Sequence, residues 1–231
     1  SDHTPRGYDL ASLSDDVAGV IRSLGAANAV VVGHDWGGLI GWSLAALEPD
    51  LVHRLVAVSA PHPRRLRRRT LTDLRQLRAV GHAWRMQPPW LPERRLVNHE
   101  SAYVEELLRR WSAPGWPDDD TARQYRAAMQ LGNTAYCTTE YHRWAVRSLI
   151  RPDGVRFAHR MSAPITVPVL QVHGDQDSCT LPATARGSGD YVTGPYRWHA
   201  FEGVGHFPHE EAAEPFSRTV LTWLDDVEPA L

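Results

Sequence analysis

The sequence predicts an α/β fold with a mainly parallel sheet that is interrupted by a long helical insertion. The main observation is that short, apolar, β-branched segments alternate with helical patterns, as in chains that fold into parallel sheets. A second observation is that no comparable strand occurs between Pro61 and about Pro164, where the hydrophobic spacing is helical throughout. The predicted strands are residues 29–32, 51–59, 167–172 and 196–201.

The helices and strands outside the insertion are predicted from the spacing of their apolar residues. Residues 12–24 place apolar side chains one helical turn apart, with Ser12 or Ser14 as the predicted N-cap and Gly25 just past the end. Residues 29–32 are a continuous apolar run, which is typical of a strand buried on both faces. A further helix is predicted over 39–47 and a last one over 217–224.

The insertion divides the chain into three predicted parts. Residues 1–61 form the first part of the α/β core, 62–164 a helical cap, and 165–231 the second part of the core. Helices are predicted in the cap over 70–80, 100–111, 121–131 and 134–149. The arginine-rich run over 64–69 and the three aspartates over 118–120 are interpreted as solvated helix starts, in preference to phosphate, membrane or metal sites.

Composition limits the classes of function. The 231 residues are 42% hydrophobic and 23% charged, with a net charge of −2, which argues against nucleic acid as a partner. All 25 cations are arginine, so lysine Schiff-base chemistry is excluded. Only two cysteines are present, which argues against a disulfide framework and favours the cytoplasm. No transmembrane segment is expected, because no run of about 18 uncharged apolar residues occurs.

The segment after the first predicted strand has the pattern of a nucleophile elbow. Residues 33–38 read Gly-His-Asp-Trp-Gly-Gly and lead directly into a helix. Glycines at Gly33, Gly37 and Gly38 allow a sharp turn that lifts the central side chain, Asp35, above the sheet at a helix N-terminus. Taken alone, the segment is equally compatible with an aspartate that caps the helix.

Two later segments complete a catalytic series. Gly174 is followed by Asp175 and Asp177 after the third predicted strand, and His206 follows the fourth. The order nucleophile, acid, histidine places each group at the carboxyl end of a strand, where open α/β sheets carry their sites. His206 and His209 also have the composition of metal ligands, but Pro208 excludes a regular helix there, so neither a metal nor a cofactor is expected.

With these motifs, the chain resembles the α/β-hydrolase superfamily, and within it the epoxide hydrolase-like branch whose nucleophile is aspartate. The resemblance implies an α/β-hydrolase fold with a helical cap, and a small apolar substrate such as an epoxide. It implies that Asp35 forms an alkyl ester and that His206 activates the water that hydrolyses it. Asp177 is preferred to Asp175 as the acid, since the family places that residue three positions after the glycine. The N–H of Trp36 would form half of the oxyanion hole.

The cap departs from the family at the groups that protonate the leaving oxygen. The family uses two cap tyrosines, whereas by-eye alignment gives His82 and His142 at these positions, with Tyr141 adjacent. A haloalkane dehalogenase, which needs no such acid, is therefore an alternative, and Trp36 also matches a halide-binding position of that family.

The first eight residues resemble the loop that follows the fourth strand of the family's sheet. The chain also lacks a His-Gly-x-Pro oxyanion motif. The expectation is a partial fold holding the C-terminal half of the sheet, with strand 29–32 at an open edge through which a homodimer could form. A truncated, non-catalytic remnant is the third alternative.

Overall fold

The computed structural model describes residues 7–226. Its sheet has four parallel strands whose spatial order equals their order in the chain. The strands are β1 (Ala29–His34), β2 (Val52–Val58), β3 (Val169–Gly174) and β4 (Tyr196–Phe201). The register pairs His34 with Val58 and Gly174 with Phe201, so the segments that follow the strands leave from one edge.

All four predicted strands are confirmed, and β4 has the predicted bounds. The other three differ from their predicted bounds by no more than two residues at either end. β1 continues through Gly33 and His34, because both residues pair with β2 before the chain turns.

The helices outside the insertion flank the sheet. They are α1 (Leu10–Ser23), α2 (Trp36–Leu47), α10 (Pro182–Arg186), α11 (Pro208–Glu211) and α12 (Ala213–Asp226). The predicted N-cap of α1 was wrong: Asp9 caps the helix, accepting a hydrogen bond from the N–H of Ser12 at 2.9 Å. The helix begins earlier than predicted because Leu10 is buried in its first turn.

The insertion consists of seven helices within the described part of the chain. They are α3 (Pro63–Thr72), α4 (Leu74–Ala79), α5 (Gly81–Arg85), α6 (Leu91–Trp111), α7 (Asp119–Met129), α8 (Thr134–Arg147) and α9 (Pro152–Arg160). Asp118 caps α7, as the aspartate run predicted. The division of the chain at residues 61 and 164 stays a prediction.

Two helix predictions in the insertion need correction. The helix predicted over 70–80 is split, because Asp73 has extended backbone and its carboxylate caps α4. The helix predicted over 100–111 extends back to Leu91, with a kink at residues 98–101 where the backbone leaves helical geometry.

Alternate residues of β2 enter two different cores, as expected for a strand covered on both faces. Leu55 and Ala57 pack with Trp42 of α2 and Ile21 of α1. On the opposite face, the side chains that pack together are Val56, Val58, Leu170, Val172, Val220 and Trp223. The sheet is thus fixed between α1 and α2 on one side and α12 on the other.

β1 is the exception, and its predicted burial on both faces was wrong. It pairs only with β2 among the described residues, and Val30 and Val32 are 41% and 54% exposed. Only the Val31 face packs against the α1–α2 core. β1 therefore lies at the open edge expected of it, and a homodimer through this edge stays a prediction.

Between residues 7 and 226, none of the helices has both the length and the apolar character required to cross a membrane.

Candidate active site

Asp35 lies at the junction of β1 and α2 in a strained backbone conformation. Its φ is 49° and its ψ is −114°, a region that costs about 1–3 kcal/mol for a residue with a side chain. Its N–H donates to Val58 and its carbonyl accepts from Leu39, which fixes the turn. The carboxylate makes no capping hydrogen bond to α2 and is 38% exposed, lining a cavity under the inserted helices. This geometry favours the elbow over the helix cap.

Two of the three elbow glycines are required by close packing. A Cβ on Gly33 would lie 2.3 Å from the carbonyl oxygen of Gly37, and a Cβ on Gly38 would lie 2.4 Å from the Cβ of Ala60. Gly37, the third small position of the predicted elbow, has no such neighbour within 4 Å.

Gly33→Ala is expected to lower the free energy of unfolding by about 1–3 kcal/mol or more, because the added methyl meets backbone that cannot move aside. Gly37→Ala is the matched control, with an expected change of no more than about 1 kcal/mol, since alanine favours a helix. Urea denaturation of both variants measures the difference. An equal loss of stability in the two would contradict the packing argument.

Asp177 and His206 meet in a buried pair beside Asp35. Nδ1 of His206 lies 2.8 Å from Oδ2 of Asp177, and its Nε2 lies 3.7 Å from Oδ1 of Asp35. The other oxygen of Asp177 accepts the N–H groups of Cys179 and Thr180, each at 2.8 Å. Asp175 is exposed and accepts from the N–H of Gly203.

The electrostatics of these groups are strongly coupled. Burial alone would raise the pKa of Asp177, but the charge and hydrogen bond of His206 and the hydrogen bond of His173 lower it well below its usual range. The pKa of Asp35 is lowered for the same reason, since its interactions with His206 outweigh burial. Burial opposes a charge on His206, yet the two carboxylates raise its pKa far above 6.5. The resting site therefore favours an imidazolium between two carboxylates.

Glu211 holds the histidine loop, a role that was not predicted from the sequence. Its carboxylate accepts three backbone N–H groups, from Gly205 at 2.8 Å, Phe207 at 2.9 Å and Ala113 at 2.8 Å. The sequence offered one signal, because a glutamate in the first turn of a helix that begins with proline resembles a capping box. In a capping box the glutamate is the third residue of the helix, whereas Glu211 is the fourth residue of α11.

The inserted helices also contact His206 directly. The N–H of His206 donates to the carbonyl of Trp111 at the end of α6, at 2.9 Å. On the core side, Nε2 of His34 lies 2.8 Å from the carbonyl oxygen of His206. The histidine backbone is thus fixed from both sides.

The three candidate acids of the cap occupy different positions. His82 and His142 line the cavity together with Asp35, and their ring centroids are 5.2 Å apart. Tyr141 does not line the cavity: its ring packs edge-on against Tyr8 and Trp36. Burial lowers the pKa of both histidines, and that of His82 to about 3, so they are mainly neutral at pH 7.

Residues 7–226 contain no group of three or more His, Cys, Asp or Glu side chains placed to hold a metal ion. His209, which has the composition of a metal ligand in the sequence, packs its ring against His34 with centroids 4.4 Å apart.

Comparison with known proteins identifies the family. The alpha/beta hydrolase fold family matches residues 1–213. The chain belongs to the alpha/beta hydrolase fold family. Among curated alpha/beta hydrolases, it is 35% identical over 227 residues to epoxide hydrolase 4 from Homo sapiens, covering 96% of this chain and 60% of that protein. It is 23% identical over 224 residues to epoxide hydrolase 3 from Xenopus tropicalis, covering 95% of this chain and 59% of that protein. The chain thus spans about 60% of the length of these relatives.

Solved alpha/beta hydrolase structures confirm the fold. An epoxide hydrolase from Bacillus megaterium in complex with an inhibitor has a TM-score of 0.83 at 21% identity, covering 98% of this chain and 79% of that one. A putative acyltransferase from Salmonella enterica also has a TM-score of 0.83, at 22% identity, covering 99% of this chain and 74% of that one. Because proteins with such different names share the fold, the reaction has to be argued from the site.

Proposed function

We propose that this protein hydrolyses epoxides through an alkyl ester on Asp35. The observation that carries the proposal is the position of Asp35: a carboxylate on a strained elbow, open to a mainly apolar cavity, with Nε2 of His206 at 3.7 Å. An oxygen of Asp35 attacks an epoxide carbon, the C–O bond to that carbon breaks, and the freed oxygen takes a proton. The similarity to curated epoxide hydrolases supports this reaction over acyl transfer.

His206 acts in the second half of the reaction. Once Asp35 is an ester it no longer carries a charge, so one of the two carboxylates that raise the pKa of His206 is lost. The imidazole then accepts a proton from water, and the resulting hydroxide attacks the ester carbonyl. The bond between that carbonyl carbon and the alkyl oxygen breaks, the imidazolium returns its proton to the departing oxygen, and the diol leaves with Asp35 regenerated. Asp177 holds the Nδ1–H of His206 and stabilises the imidazolium that forms.

Trp36 supplies one oxyanion donor. It is the first residue of α2, so its N–H belongs to the first turn, where N–H groups lack partners within the helix. An N–H at this position stabilises the negative charge that develops on the ester oxygen during hydrolysis.

His142 is our choice of acid for the first half of the reaction. Its Nδ1 lies 2.8 Å from the carbonyl of Thr138 and donates to it, so a proton on Nε2 requires the imidazolium form. Burial opposes that form and lowers the pKa of His142, whereas the hydrogen bond to Thr138 and the charge of Asp35 favour it. His82 lies beside it as a second cavity-lining group, whereas Tyr141 does not line the cavity.

The experiment is to trap the ester. His206→Gln removes the base, so mixing this variant with an aryl or aliphatic epoxide should leave a covalent adduct on the peptide that contains Asp35, detected by mass spectrometry. The double variant His206→Gln, Asp35→Asn is the control and should show no adduct. Repeated absence of the adduct, with epoxide binding demonstrated, would contradict the nucleophile assignment.

Dehalogenation is the second candidate, because Trp36 lines the cavity next to Asp35, whereas none of the tyrosines within residues 7–226 does. A panel of epoxides and haloalkanes, with diol and halide release measured in parallel, separates the two reactions. Halide release without diol favours dehalogenation. A folded protein that turns over neither class fits the non-catalytic alternative.

A further inference from the structure

The cavity above Asp35 carries two positive charges. Arg64 and Arg67 both line it, three residues apart on α3 and therefore on one face of that helix. Most of the remaining lining is apolar, and Asp35 is the only carboxylate among the described residues that line the cavity. Guanidinium groups do not contribute to the reaction proposed above, so they require a separate explanation.

Two other arginines of the same run, Arg65 and Arg69, have polar partners. Arg65 donates to the carbonyl of Thr184, and Arg69 forms an ion pair with Asp73. Arg64 and Arg67 have no carboxylate partner among residues 7–226: Arg67 donates to the carbonyl of Leu149 at 3.1 Å, and Arg64 lies over the ring of Tyr191. Arg64 is exposed and Arg67 is half-buried, so both guanidinium groups remain available to an anion that enters the cavity.

The positive charges lie away from the nucleophile. Arg64 lies over the ring of Tyr191 and Arg67 reaches the carbonyl of Leu149, whereas Asp35 lies 3.7 Å from Nε2 of His206. Apolar side chains of the insertion, among them Leu66, Phe157 and Met161, line the same cavity. The cavity therefore has a carboxylate in one region, cations in another, and an apolar lining.

We propose that the substrate is an epoxide on an apolar body that carries an anionic group, such as a carboxylate, remote from the oxirane ring, and that Arg64 and Arg67 bind this group. The inference rests on the proposed function. Charge also sets the orientation: Asp35 repels the anionic end and the arginines attract it, so the neutral oxirane faces the nucleophile.

The test compares an aryl epoxide that carries a carboxylate with its methyl ester. The protein should prefer the carboxylate in kcat/KM by about tenfold or more, as expected for charge-assisted hydrogen bonds in a partly dry site. In the double variant Arg64→Gln, Arg67→Gln this preference should disappear. Replacement by lysine at both positions should retain most of it, because the charges remain.

Arg68→Gln is the matched control, since Arg68 is exposed on the same helix and does not line the cavity. It should keep the preference for the carboxylate. An equal loss of preference in Arg68→Gln and in the double variant would indicate general surface charge, including attraction to an anionic membrane, and would overturn the proposal. Thermal unfolding of each variant shows whether the fold is intact.

Binding separates this inference from the proposed reaction. Calorimetry with the two corresponding diols, which cannot react, should show tighter binding of the carboxylate diol, and this difference should vanish in the double variant. If no epoxide is turned over but the difference in binding persists, the reaction is wrong and the anion site stands. Turnover of epoxides without any preference for the carboxylate would overturn the anion site alone.

Discussion

Asp177→Asn is expected to lower turnover by about 10³- to 10⁴-fold, by analogy with the acid of serine proteases. Asp177 is buried, and its two oxygens hold His206 and the N–H groups of Cys179 and Thr180. An amide removes the charge that stabilises the imidazolium, and its NH₂ group cannot accept the Nδ1–H. Steady-state diol formation measures the loss.

Asp175→Asn is the control for this prediction. Asp175 is exposed and uses one oxygen to accept from Gly203, which asparagine can also do, so its turnover should stay close to wild type. If Asp175→Asn were the more damaging change, the acid would be misassigned.

Asp177→Asn should also change the pH dependence of ester hydrolysis. Hydrolysis of the ester needs neutral His206, so its rate rises with pH through the pKa of that group. Asp177 raises this pKa, and its replacement by asparagine should therefore shift the midpoint of ester hydrolysis to lower pH. Single-turnover measurements across a pH series test the direction of the shift.

Glu211→Ala is expected to have the second-largest effect. It leaves three backbone N–H groups without their carboxylate partner, each worth about 1–3 kcal/mol, against a total stability of about 5–15 kcal/mol. Because two of these groups flank His206, turnover should also fall by about tenfold or more at temperatures where the variant is folded. Denaturant unfolding and diol formation are measured on the same sample.

Glu210→Gln provides the control for the loop. Glu210 is exposed and accepts one hydrogen bond, from the hydroxyl of Tyr125, so its replacement should change stability by no more than about 1 kcal/mol. Equal effects of the changes at the two neighbouring positions would mean that Glu211 does not position His206.

The strands and the elbow could be predicted because their signals are local. The β-branched run over 29–32 followed by Gly33 and Asp35 specifies a strand and a turn within a few residues. Burial of β1 could not be predicted, since it depends on which elements cover Val30 and Val32. A continuous apolar run is the same in a central strand and in an edge strand.

The support of the site depends on contacts between distant segments, which periodicity does not record. Glu211 reaches Ala113 across 98 positions of sequence, and no local pattern indicates that pairing. Similarly, the adjacent residues Tyr141 and His142 have similar local signals, yet only His142 lines the cavity. The rotation of α8 against its neighbours decides between them.

The end of α6 determines how this protein could be re-engineered. Arg110 accepts a hydrogen bond from Ser178 beside the acid, Trp111 accepts one from His206, and Ala113 donates to Glu211. A chimaera that takes inserted helices from another protein would have to preserve these three backbone positions. The junction between the two sequences would therefore lie either before Arg110 or downstream of Ala113. A graft that cuts within 110–113 would remove the backbone contacts of the loops that carry Asp177 and His206, even if all the proposed catalytic side chains were retained.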